Sequence, residues 1–179
     1  MFKATAFIVG PRDGPGAALA DLARLLGFAS VLPYQDAAAA EQQAARTPLL
    51  FFFFAAVDET AALRPAAAAI RGFPGRRLRF SPLVYFPESP QPEAVRLCVQ
   101  LGFDDVMTLP FSPERVQERL ARQVNRPLAF FETPTYFGPD RRGEAHAGNA
   151  ERRGGGRHRR FEIVRTPVSG VSILRDDMN

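Results

Sequence analysis

Short apolar runs alternate with amphipathic stretches along the first 125 residues of the chain. The apolar runs are bounded by Gly, Pro and polar residues, which is typical of buried strands. Between these runs, apolar side chains recur at helical spacing, as at Leu19, Leu22 and Leu26. The pattern predicts five β–α units, with strands at 4–9, 29–34, 49–57, 78–86 and 105–110.

Capping residues mark the ends of several predicted helices. Asp36 precedes one helix and Ser112 precedes another, and both residue types are typical of helix N-caps. Gly27 and Gly102 follow two other helices and indicate where they end. Strands and helices that alternate in this way predict an α/β fold over residues 1–125. We expect a flavodoxin-like, doubly wound, five-stranded parallel sheet.

The pattern changes after Asn125. Residues 126–134 form a linker with a few apolar anchors, and residues 135–160 are rich in Gly and Arg. That composition cannot bury a core, so it predicts no regular structure for an isolated segment. Residues 161–174 regain β character and are expected to dock as a strand or hairpin. We therefore assign 126–179 to an arginine-rich, irregular C-terminal tail.

Composition narrows the classes of function. The chain has 179 residues, which suits one domain with an appendage, and its net charge is only +4. This charge argues against a protein that binds nucleic acid over its whole surface. Lys3 is the only lysine, so the other 22 of the 23 basic residues are arginines. Arginine is the side chain that recognises planar acceptor groups in a bidentate manner.

The cysteine and histidine content and the hydropathy of the chain argue against metal-binding and membrane-spanning proteins. Cys98 is the only cysteine and the histidines are His146 and His158, which is a poor ligand set for a metal. The longest apolar run, 49–57, is too short to cross a bilayer. Arg12 and other polar residues interrupt the N-terminal apolar stretch, so we expect no signal peptide. These observations predict a cytoplasmic protein with no membrane insertion and no structural metal.

The stretch GFDDVMTLPFSPERVQERLARQV, residues 102–124, resembles the end of a response-regulator receiver (CheY-like) domain. That family typically shows Gly-x-Asp-Asp, an apolar strand, Lys-Pro-Phe and a capped helix. The order and spacing of elements over 1–125 also fit the family. The resemblance implies a receiver-like fold for this part of the chain.

The residues that carry receiver chemistry are missing. A receiver phosphorylates an Asp at the end of its third strand, and it binds Mg²⁺ with an acidic pair after its first strand. A hydroxyl on strand four and a Lys on strand five contact the phosphoryl group. Here those positions hold Gly10, Pro11, Phe54, Pro87 and Leu109, and Asp13 and Asp58 lie three or four residues from the required places. Without clustered carboxylates or the Lys, neither Mg²⁺ nor a phosphoryl group is held. The sequence therefore predicts a pseudo-receiver with no catalytic residues and no Mg²⁺ site.

The tail contains an acid–Arg–Arg repeat. Asp140-Arg141-Arg142 recurs eleven residues later as Glu151-Arg152-Arg153, and a Gly follows each copy. Only the first copy has an aromatic lead, Tyr136-Phe137, and the second has Asn149-Ala150 where the first has Pro. The two copies are therefore unequal.

The repeated unit has the chemistry of a guanine site. An Arg fork matches the O6 and N7 acceptors of guanine, and a carboxylate accepts from its N1–H and amino group. An aromatic ring stacks on the base, which contributes about 1–3 kcal/mol. A second Arg neutralises a phosphate. Two such units suit a ligand with two guanines and two phosphates.

YFGPDRR followed by a further acid–Arg–Arg is similar to the arginine-rich tail of the CheY-like cyclic-di-GMP effectors, the Cle group. Those proteins join a receiver-like domain to such a segment, and some engage the flagellar motor. The resemblance implies that Tyr136 stacks on a base, that Asp140 binds the guanine amino edge, and that Arg141 and Arg142 bind the Hoogsteen edge and phosphate. By repetition it implies weaker roles for Glu151, Arg152 and Arg153. It predicts a non-enzymatic bacterial signalling effector that binds cyclic di-GMP and relays this to a protein partner, such as a motor or signalling component.

Two other interpretations stay open. The tail of a pseudo-receiver interaction module could bind RNA or DNA non-specifically, or it could pack on the domain as a structural element. The acid beside each Arg pair argues against the first, because a carboxylate repels a phosphate backbone. Arg157, Arg159 and Arg160 fit solvated charges or general electrostatic attraction as well as specific contacts.

Overall fold

A computed structural model describes residues 2–45, 47–89, 91–108, 110–141 and 158–178. Within them the chain forms two sheets, one with five parallel strands and one with four antiparallel strands. No helix among these residues is both long enough and apolar enough to span a membrane.

The parallel sheet has the order β2-β1-β3-β4-β5. This is the flavodoxin-like doubly wound order, so the predicted fold of the first domain is confirmed. Its strands are β1 Phe2–Val9, β2 Phe28–Pro33, β3 Leu49–Phe54, β4 Leu83–Tyr85 and β5 Asp105–Val106. Its helices are α1 Gly14–Leu25, α2 Ala37–Ala44, α3 Arg64–Arg71, α4 Arg76–Arg79, α5 Pro92–Gln100 and α6 Pro113–Ala121, with a 3-10 turn at Thr60–Leu63.

The central strand β3 explains why both faces of this sheet are covered. All six of its residues, LLFFFF, are buried. Phe51 and Phe53 belong to one apolar cluster, whereas Phe52 and Phe54 belong to the cluster on the other face. Because strand side chains alternate between faces, a continuous apolar run needs helices on both sides of the sheet.

The predicted caps are present. The Asp36 carboxylate accepts a hydrogen bond of 2.8 Å from the Ala39 N–H, and the Ser112 hydroxyl accepts one of 3.3 Å from the Arg115 N–H. α6 begins with Pro113, whose fixed φ suits the first turn of a helix.

Three predicted strands are shorter than expected, and the segment 49–57 is strand only at Leu49–Phe54. Of the segment 78–86, residues up to Arg79 belong to α4 and only Leu83–Tyr85 is strand. The segment 105–110 contributes only Asp105–Val106 to β5. β5 pairs with β4 alone in the described part of the sheet, so the ladder ends when β4 ends, at the bond from the Met107 N–H to the Tyr85 carbonyl.

The tail is more regular than its composition predicts. It forms an antiparallel sheet, which we call the tail sheet, in the order β7-β6-β8-β9. Its strands are β6 Pro127–Thr133, β7 Tyr136–Pro139, β8 Arg159–Thr166 and β9 Gly170–Met178. The predicted linker 126–134 is thus mostly strand β6, and parts of the stretch predicted to lack regular structure are β7 and the start of β8. Residues 161–174 lie within β8, the following turn and β9.

Tertiary packing explains this difference. Phe130, Phe161, Ile163 and Val171 of the tail sheet form a buried cluster with Phe80, which follows α4. The Phe80 ring lies 5.1 Å from the Phe130 ring and 5.3 Å from the Phe161 ring in edge-to-face geometry. β propensity depends on such neighbours, which a local sequence pattern does not contain.

The tail sheet lies at the amino edge of the parallel sheet. It contacts Phe80, Phe103 and Asp104, which precede β4 and β5. At Gly170, an added Cβ would lie only 2.4 Å from the carbonyl oxygen of Pro48, which precedes β3. The positions that the sequence analysis compared with receiver chemistry lie at the opposite, carboxyl edge, where the strands end.

Candidate functional site

Two buried arginines share one carboxylate where the tail sheet meets the first domain. Arg71 donates to Oδ2 of Asp104 at 2.7 Å, and Arg165 of β8 donates to Oδ1 at 2.8 Å. The side chains of Arg71, Asp104 and Arg165 are 5%, 2% and 0% exposed. Burial lowers the pKa of both guanidinium groups, that of Arg71 to about 10, and the Asp104 carboxylate opposes this shift.

Backbone carbonyls complete the solvation of these cations. Arg71 also donates to the carbonyls of Gly102, Arg79 and Ser81 at 2.7–3.0 Å. Arg165 donates to the Phe80 carbonyl at 2.6 Å. Both guanidinium groups lie over the Phe130 ring, at 5.6 Å and 5.2 Å from its centroid. The three side chains are buried and bind one another and nearby carbonyls, so we assign the network to docking of the tail sheet.

The sequence analysis missed this network. Asp104 lies in the Gly-x-Asp-Asp stretch, and it binds arginines here rather than a metal; Asp105 pairs with Arg119. One signal was present. Phe161, Ile163 and Arg165 alternate on one face of β8, so the period of two places Arg165 among inward-facing residues.

The carboxyl edge carries the residues at the positions that the sequence analysis compared with receiver chemistry. Phe54 is fully buried, and its ring lies 4.7 Å from that of Phe103. Gly10 follows β1 and lies against Ala55, and an added Cβ would come within 2.8 Å of the Ala55 Cβ. Pro87 follows β4, and Leu109 lies outside the described residues. Among the residues that are described, no group of three or more His, Cys, Asp or Glu is placed to hold a metal ion.

Tyr136, the predicted stacking residue, begins β7 and is half-buried. Its hydroxyl donates to the Pro139 carbonyl at 3.0 Å, and its ring lies over Gly138. Burial raises the pKa of Tyr136, while the nearby charge of Arg141 opposes that rise. The side chain is therefore close to Arg141 but has structural contacts of its own.

Asp140 and Arg141 directly follow β7. The Asp140 N–H donates to the Ala129 carbonyl of β6 at 2.8 Å, which extends the ladder by one residue. Arg141 is exposed, and one of its guanidinium nitrogens donates to the Phe103 carbonyl at 2.6 Å. Since a guanidinium has five N–H donors, this contact orients Arg141 and leaves donors for a ligand.

The remaining predicted ligand residues, Arg142, Glu151, Arg152 and Arg153, lie outside the described residues. They belong to the connection between the end of β7 and the start of β8. β7 and β8 flank β6 on its two sides. Asp140 lies opposite Ala129, near the start of β6, and Arg159 lies opposite Glu132, near its end. The two ends of this connection therefore lie at opposite ends of β6, roughly 20 Å apart.

One face of the tail sheet, which we call the outer face, carries the predicted residues Tyr136 and Asp140. The strand register places Phe131 opposite both Gly138 and Arg160 on this face. The inner face carries Phe130 and Phe161 and packs on the first domain. At β7 the outer face is covered as well, because Gly138 is buried against Gly102 and the Tyr136 ring. The structure thus brings a further aromatic residue and a further cation to the face that bears the predicted site.

The two arginines at the start of β8 make different contacts. Arg159 binds the Asp176 carboxylate through two nitrogens at 2.5 Å and lies 4.8 Å from the Phe161 ring centroid. This pair lowers the pKa of Asp176. Arg160 points to the outer face and is exposed. Arg159 is therefore engaged within the sheet, whereas Arg160 stays exposed beside Phe131.

Comparisons with known proteins give likenesses to receiver domains. No protein-family model and no curated protein matches the chain. A sensor histidine kinase receiver domain from Pseudomonas aeruginosa PAO1, solved with magnesium in its active-site cleft, is 21% identical, with 66% of this chain and 95% of that chain covered and a TM-score of 0.47.

Two further structures show a similar likeness. The CheY-like protein tadZ from Pseudomonas aeruginosa PAO1 is 15% identical over 66% of this chain and 98% of its own, with a TM-score of 0.47. A pilus assembly-related protein from Burkholderia pseudomallei K96243 is 19% identical over 69% and 91%, with a TM-score of 0.48. With TM-scores below 0.5, these likenesses carry no statement about ligand, partner or activity.

Proposed function

We propose that this protein is a non-enzymatic signalling effector. In this proposal, the connection between β7 and β8 binds cyclic di-GMP, and the bound state is relayed to a protein partner. The receiver-like domain serves as a scaffold and does not receive phosphate.

One observation carries the proposal. Both acid–Arg–Arg units belong to a single connection whose ends are held on the two strands that flank β6. The first unit begins at Asp140, which is hydrogen-bonded to β6, and the second lies shortly before His158. Sixteen residues, 142–157, separate the two strands, which is enough chain to bring two guanine-binding units onto one ligand that has two guanines.

The anchoring of the tail sheet supports this role. Arg165 and the Phe80 cluster hold the sheet on the first domain, so the two ends of the connection keep a fixed separation. Fixed ends restrict the positions that the two units can take, which lowers the entropy cost of binding. Arg141 is further oriented by the Phe103 carbonyl before any ligand arrives.

The position of the connection also supports a relay of the bound state to a protein partner. A ligand bound by the connection would change the surface beside β7 and β8, where a protein partner could distinguish the bound state from the free state. This surface lies at the amino edge of the parallel sheet, so such a response needs no phosphoryl chemistry at the carboxyl edge. Flagellar-motor and other signalling components are the partner classes that the sequence resemblance suggests.

Titration calorimetry with cyclic di-GMP tests the proposal, with GTP and single-stranded RNA as comparison ligands. We expect saturable binding of the cyclic dinucleotide that Arg141→Ala and Asp140→Asn each weaken by about 1–3 kcal/mol. Arg24→Ala is a matched control, since Arg24 is exposed on α1 and pairs only with Asp21 among the contacts of the described chain.

The outcomes separate the alternatives. No heat with cyclic di-GMP, together with salt-sensitive RNA binding, would favour a nucleic-acid-binding tail. No binding of any of these ligands would favour a purely structural tail. Binding that survives both Arg141→Ala and Asp140→Asn would show that the ligand is right and the residues are wrong.

A further inference from the structure

We infer that β9 binds a second copy of this chain. In the resulting dimer, residues 174–178 of the two copies pair as antiparallel strands, and the two tail sheets become one continuous sheet. This inference goes beyond the proposed function, because it requires neither a ligand nor the connection between β7 and β8.

β9 is an outer strand of the tail sheet with an exposed edge. Within the described residues it pairs with β8 alone. Every second residue of such a strand directs its N–H and C=O groups away from the sheet, where another strand can bind them. Residues 173–178 are exposed, and three of the six large apolar side chains that are exposed in the described chain are Ile173, Leu174 and Met178. β9 therefore offers both backbone groups and apolar side chains to an added strand.

The charges of β9 are balanced by β8. Charged side chains usually protect an edge strand from pairing with another chain. On β9, each charged side chain has a residue of opposite charge next to it on β8: Asp176 binds Arg159, Arg175 lies opposite Glu162, and Asp177 lies opposite Arg160. The edge therefore has little uncompensated charge that would repel a second strand.

A bulge limits where a second strand can pair. The ladder between β8 and β9 is regular over 175–178, and Leu174 is the extra residue that interrupts it. The stretch from the bulge to the end of β9 is 174–178, and its middle residue is Asp176. Because the two strands are identical and antiparallel, a twofold axis at Asp176 relates them. Leu174 then lies opposite Met178 of the second copy, and Arg175 lies opposite Asp177 of the second copy.

This register is complementary in charge and in hydrophobicity. The Arg175 side chain is 74% exposed and lies 3.8 Å from Glu162, so it has donors left for the Asp177 carboxylate of the second copy. The twofold axis forms this pair twice, together with two apolar pairs of Leu174 and Met178. Asp176 lies opposite itself, and the Arg159 guanidinium bound to it offsets the repulsion. A register centred on Arg175 would instead place two uncompensated arginines face to face.

The first domain leaves this stretch of β9 accessible. It packs against the start of the strand, where Val171 is buried and an added Cβ at Gly170 would lie 2.4 Å from the Pro48 carbonyl oxygen. Val171 precedes Asp176 by five residues, so the two copies of Val171 lie on opposite sides of the axis, about 34 Å apart along the strands. The two first domains therefore lie at opposite ends of the paired strands.

Sedimentation equilibrium of the full chain without ligand tests the inference over about 1 µM to about 1 mM protein. We expect the average mass to rise with concentration from that of one chain towards that of two. Arg175→Asp and Asp177→Arg each replace two attractive pairs by two repulsive ones, so each should weaken the dimer about 10- to 100-fold. Arg115→Asp is the matched control, because Arg115 is exposed on α6, outside the tail sheet, and it should not change the association.

A mixture of the two charge variants distinguishes a contact between chains from a loss of fold. Arg175→Asp gives a strand with acids at both positions, and Asp177→Arg gives a strand with arginines at both positions. In an equimolar mixture the two chains should associate at least as tightly as the wild type, because every cross-strand pair is then attractive. A defect within one chain would not be repaired by mixing.

A cysteine on the twofold axis gives an independent readout of the register. Residues directly opposite each other in antiparallel strands have Cα atoms about 4.5–5.5 Å apart, which suits a disulfide. In a Cys98→Ala chain, Asp176→Cys should therefore form a covalent dimer under mild oxidation, detected on a non-reducing gel. Leu25→Cys is the control at an exposed position of α1, and it should form far less of this dimer.

Three results would overturn the inference. They are a wild-type chain that stays monomeric over the whole concentration range, single charge variants that associate like the wild type, and a mixture that does not associate. None of these results bears on the binding of cyclic di-GMP, which calorimetry measures separately. Failure of the inference is therefore distinct from failure of the proposed function.

Discussion

Arg165 and Asp104 join the C-terminal strands to the first domain by a buried hydrogen bond of 2.8 Å between the guanidinium and Oδ1. The other carboxylate oxygen accepts from Arg71 and from the Leu83 N–H, at 2.7 Å and 2.9 Å. One side chain thus fixes the start of β4, the end of α3 and the tail sheet. The tail strands are therefore an integral part of the fold, and a ligand site built on them has a rigid base.

We predict that Asp104→Ala destabilises the protein by about 3–5 kcal/mol, because it leaves Arg71 and Arg165 as buried cations without a counter-charge. Arg165→Met should cost less, since the remaining Asp104–Arg71 pair stays intact and an apolar chain fills the space. Urea unfolding followed by circular dichroism gives both values. Arg24→Ala removes an exposed ion pair and should change the free energy of unfolding by less than about 1 kcal/mol. A similar small change for Asp104→Ala would contradict the structural role of the network.

A second prediction concerns Gly102, where the first domain meets β7. Its φ is +74°, and an added Cβ would lie 2.2 Å from the Phe137 carbonyl oxygen. Gly102→Ala therefore combines left-handed strain with a backbone clash. Gly14 is the matched control, since its φ is +48° and an added Cβ would meet no atom within 4 Å.

We expect Gly14→Ala to cost about 1–2 kcal/mol from strain alone. Gly102→Ala should cost about 1–3 kcal/mol more, because β7 has to move away. Equal losses in urea unfolding would show that β7 does not pack closely on this turn.

The sequence predicts the parallel sheet well because its signals are local. β3 is a continuous apolar run, and Asp36 and Ser112 cap their own helices, so short windows contain the information. The tail sheet depends on contacts distant in sequence, such as Arg165 with Phe80, which are 85 residues apart. The composition between Tyr136 and Arg160, which is rich in Gly and Arg, gives no local signal for strands β7 and β8 at its two ends.

The candidate site, like the fold, can be predicted from the sequence only in part. The acid–Arg–Arg repeat and its aromatic lead are visible in the sequence, because they are consecutive residues. The position of Phe131 beside these residues cannot be predicted from the sequence, because only the strand register with Gly138 and Arg160 establishes it. Its neighbours in sequence, Phe130 and Glu132, belong to the opposite face of β6, and no local pattern tells the faces apart.

Cys98 should be unreactive in the folded protein. The side chain is fully buried, and burial raises the pKa of its thiol to about 12. At pH 8 the reactive thiolate is therefore scarce, and the reagent has no access. We expect negligible reaction with Ellman's reagent in buffer. In about 6 M guanidinium, which unfolds the chain, we expect one thiol per chain to react. Rapid reaction in buffer would contradict the burial of α5 against the sheet.

The raised pKa of Cys98 predicts how its contribution to the stability of the protein changes with pH. The unfolded thiol ionises near its ordinary value of 9.0, whereas the folded thiol ionises at about 12. As the pH rises between these values, the unfolded state loses its proton first, so the contribution of Cys98 to stability falls. Cys98→Ala should therefore lose less stability than the wild type over this alkaline range in urea unfolding.

Treatment with a small phosphodonor and Mg²⁺ should leave the mass of the protein unchanged. By the sequence resemblance, Phe54 stands at the position of the receiver phosphoacceptor, and it is fully buried. Asp13 and Asp58 are the nearest carboxylates in sequence to the first- and third-strand positions. Intact-mass spectrometry that detects a phosphorylated Asp13 or Asp58 would overturn the assignment of a pseudo-receiver.

Two deletions distinguish a ligand-binding tail from a structural one. Replacement of residues 142–157 by about twelve Gly/Ser residues can span the roughly 20 Å between the ends, because such a linker averages about 19 Å. β6 to β9 and the Arg165–Asp104 bond are then kept, so we expect nearly wild-type unfolding in urea and no measurable cyclic di-GMP binding. Truncation after Asn125 exposes Phe80 and removes Arg165, which leaves Arg71 and Asp104 open to solvent, so it should unfold at much lower urea. If the linker variant binds cyclic di-GMP as tightly as the wild type, the arginine-rich connection is not the site.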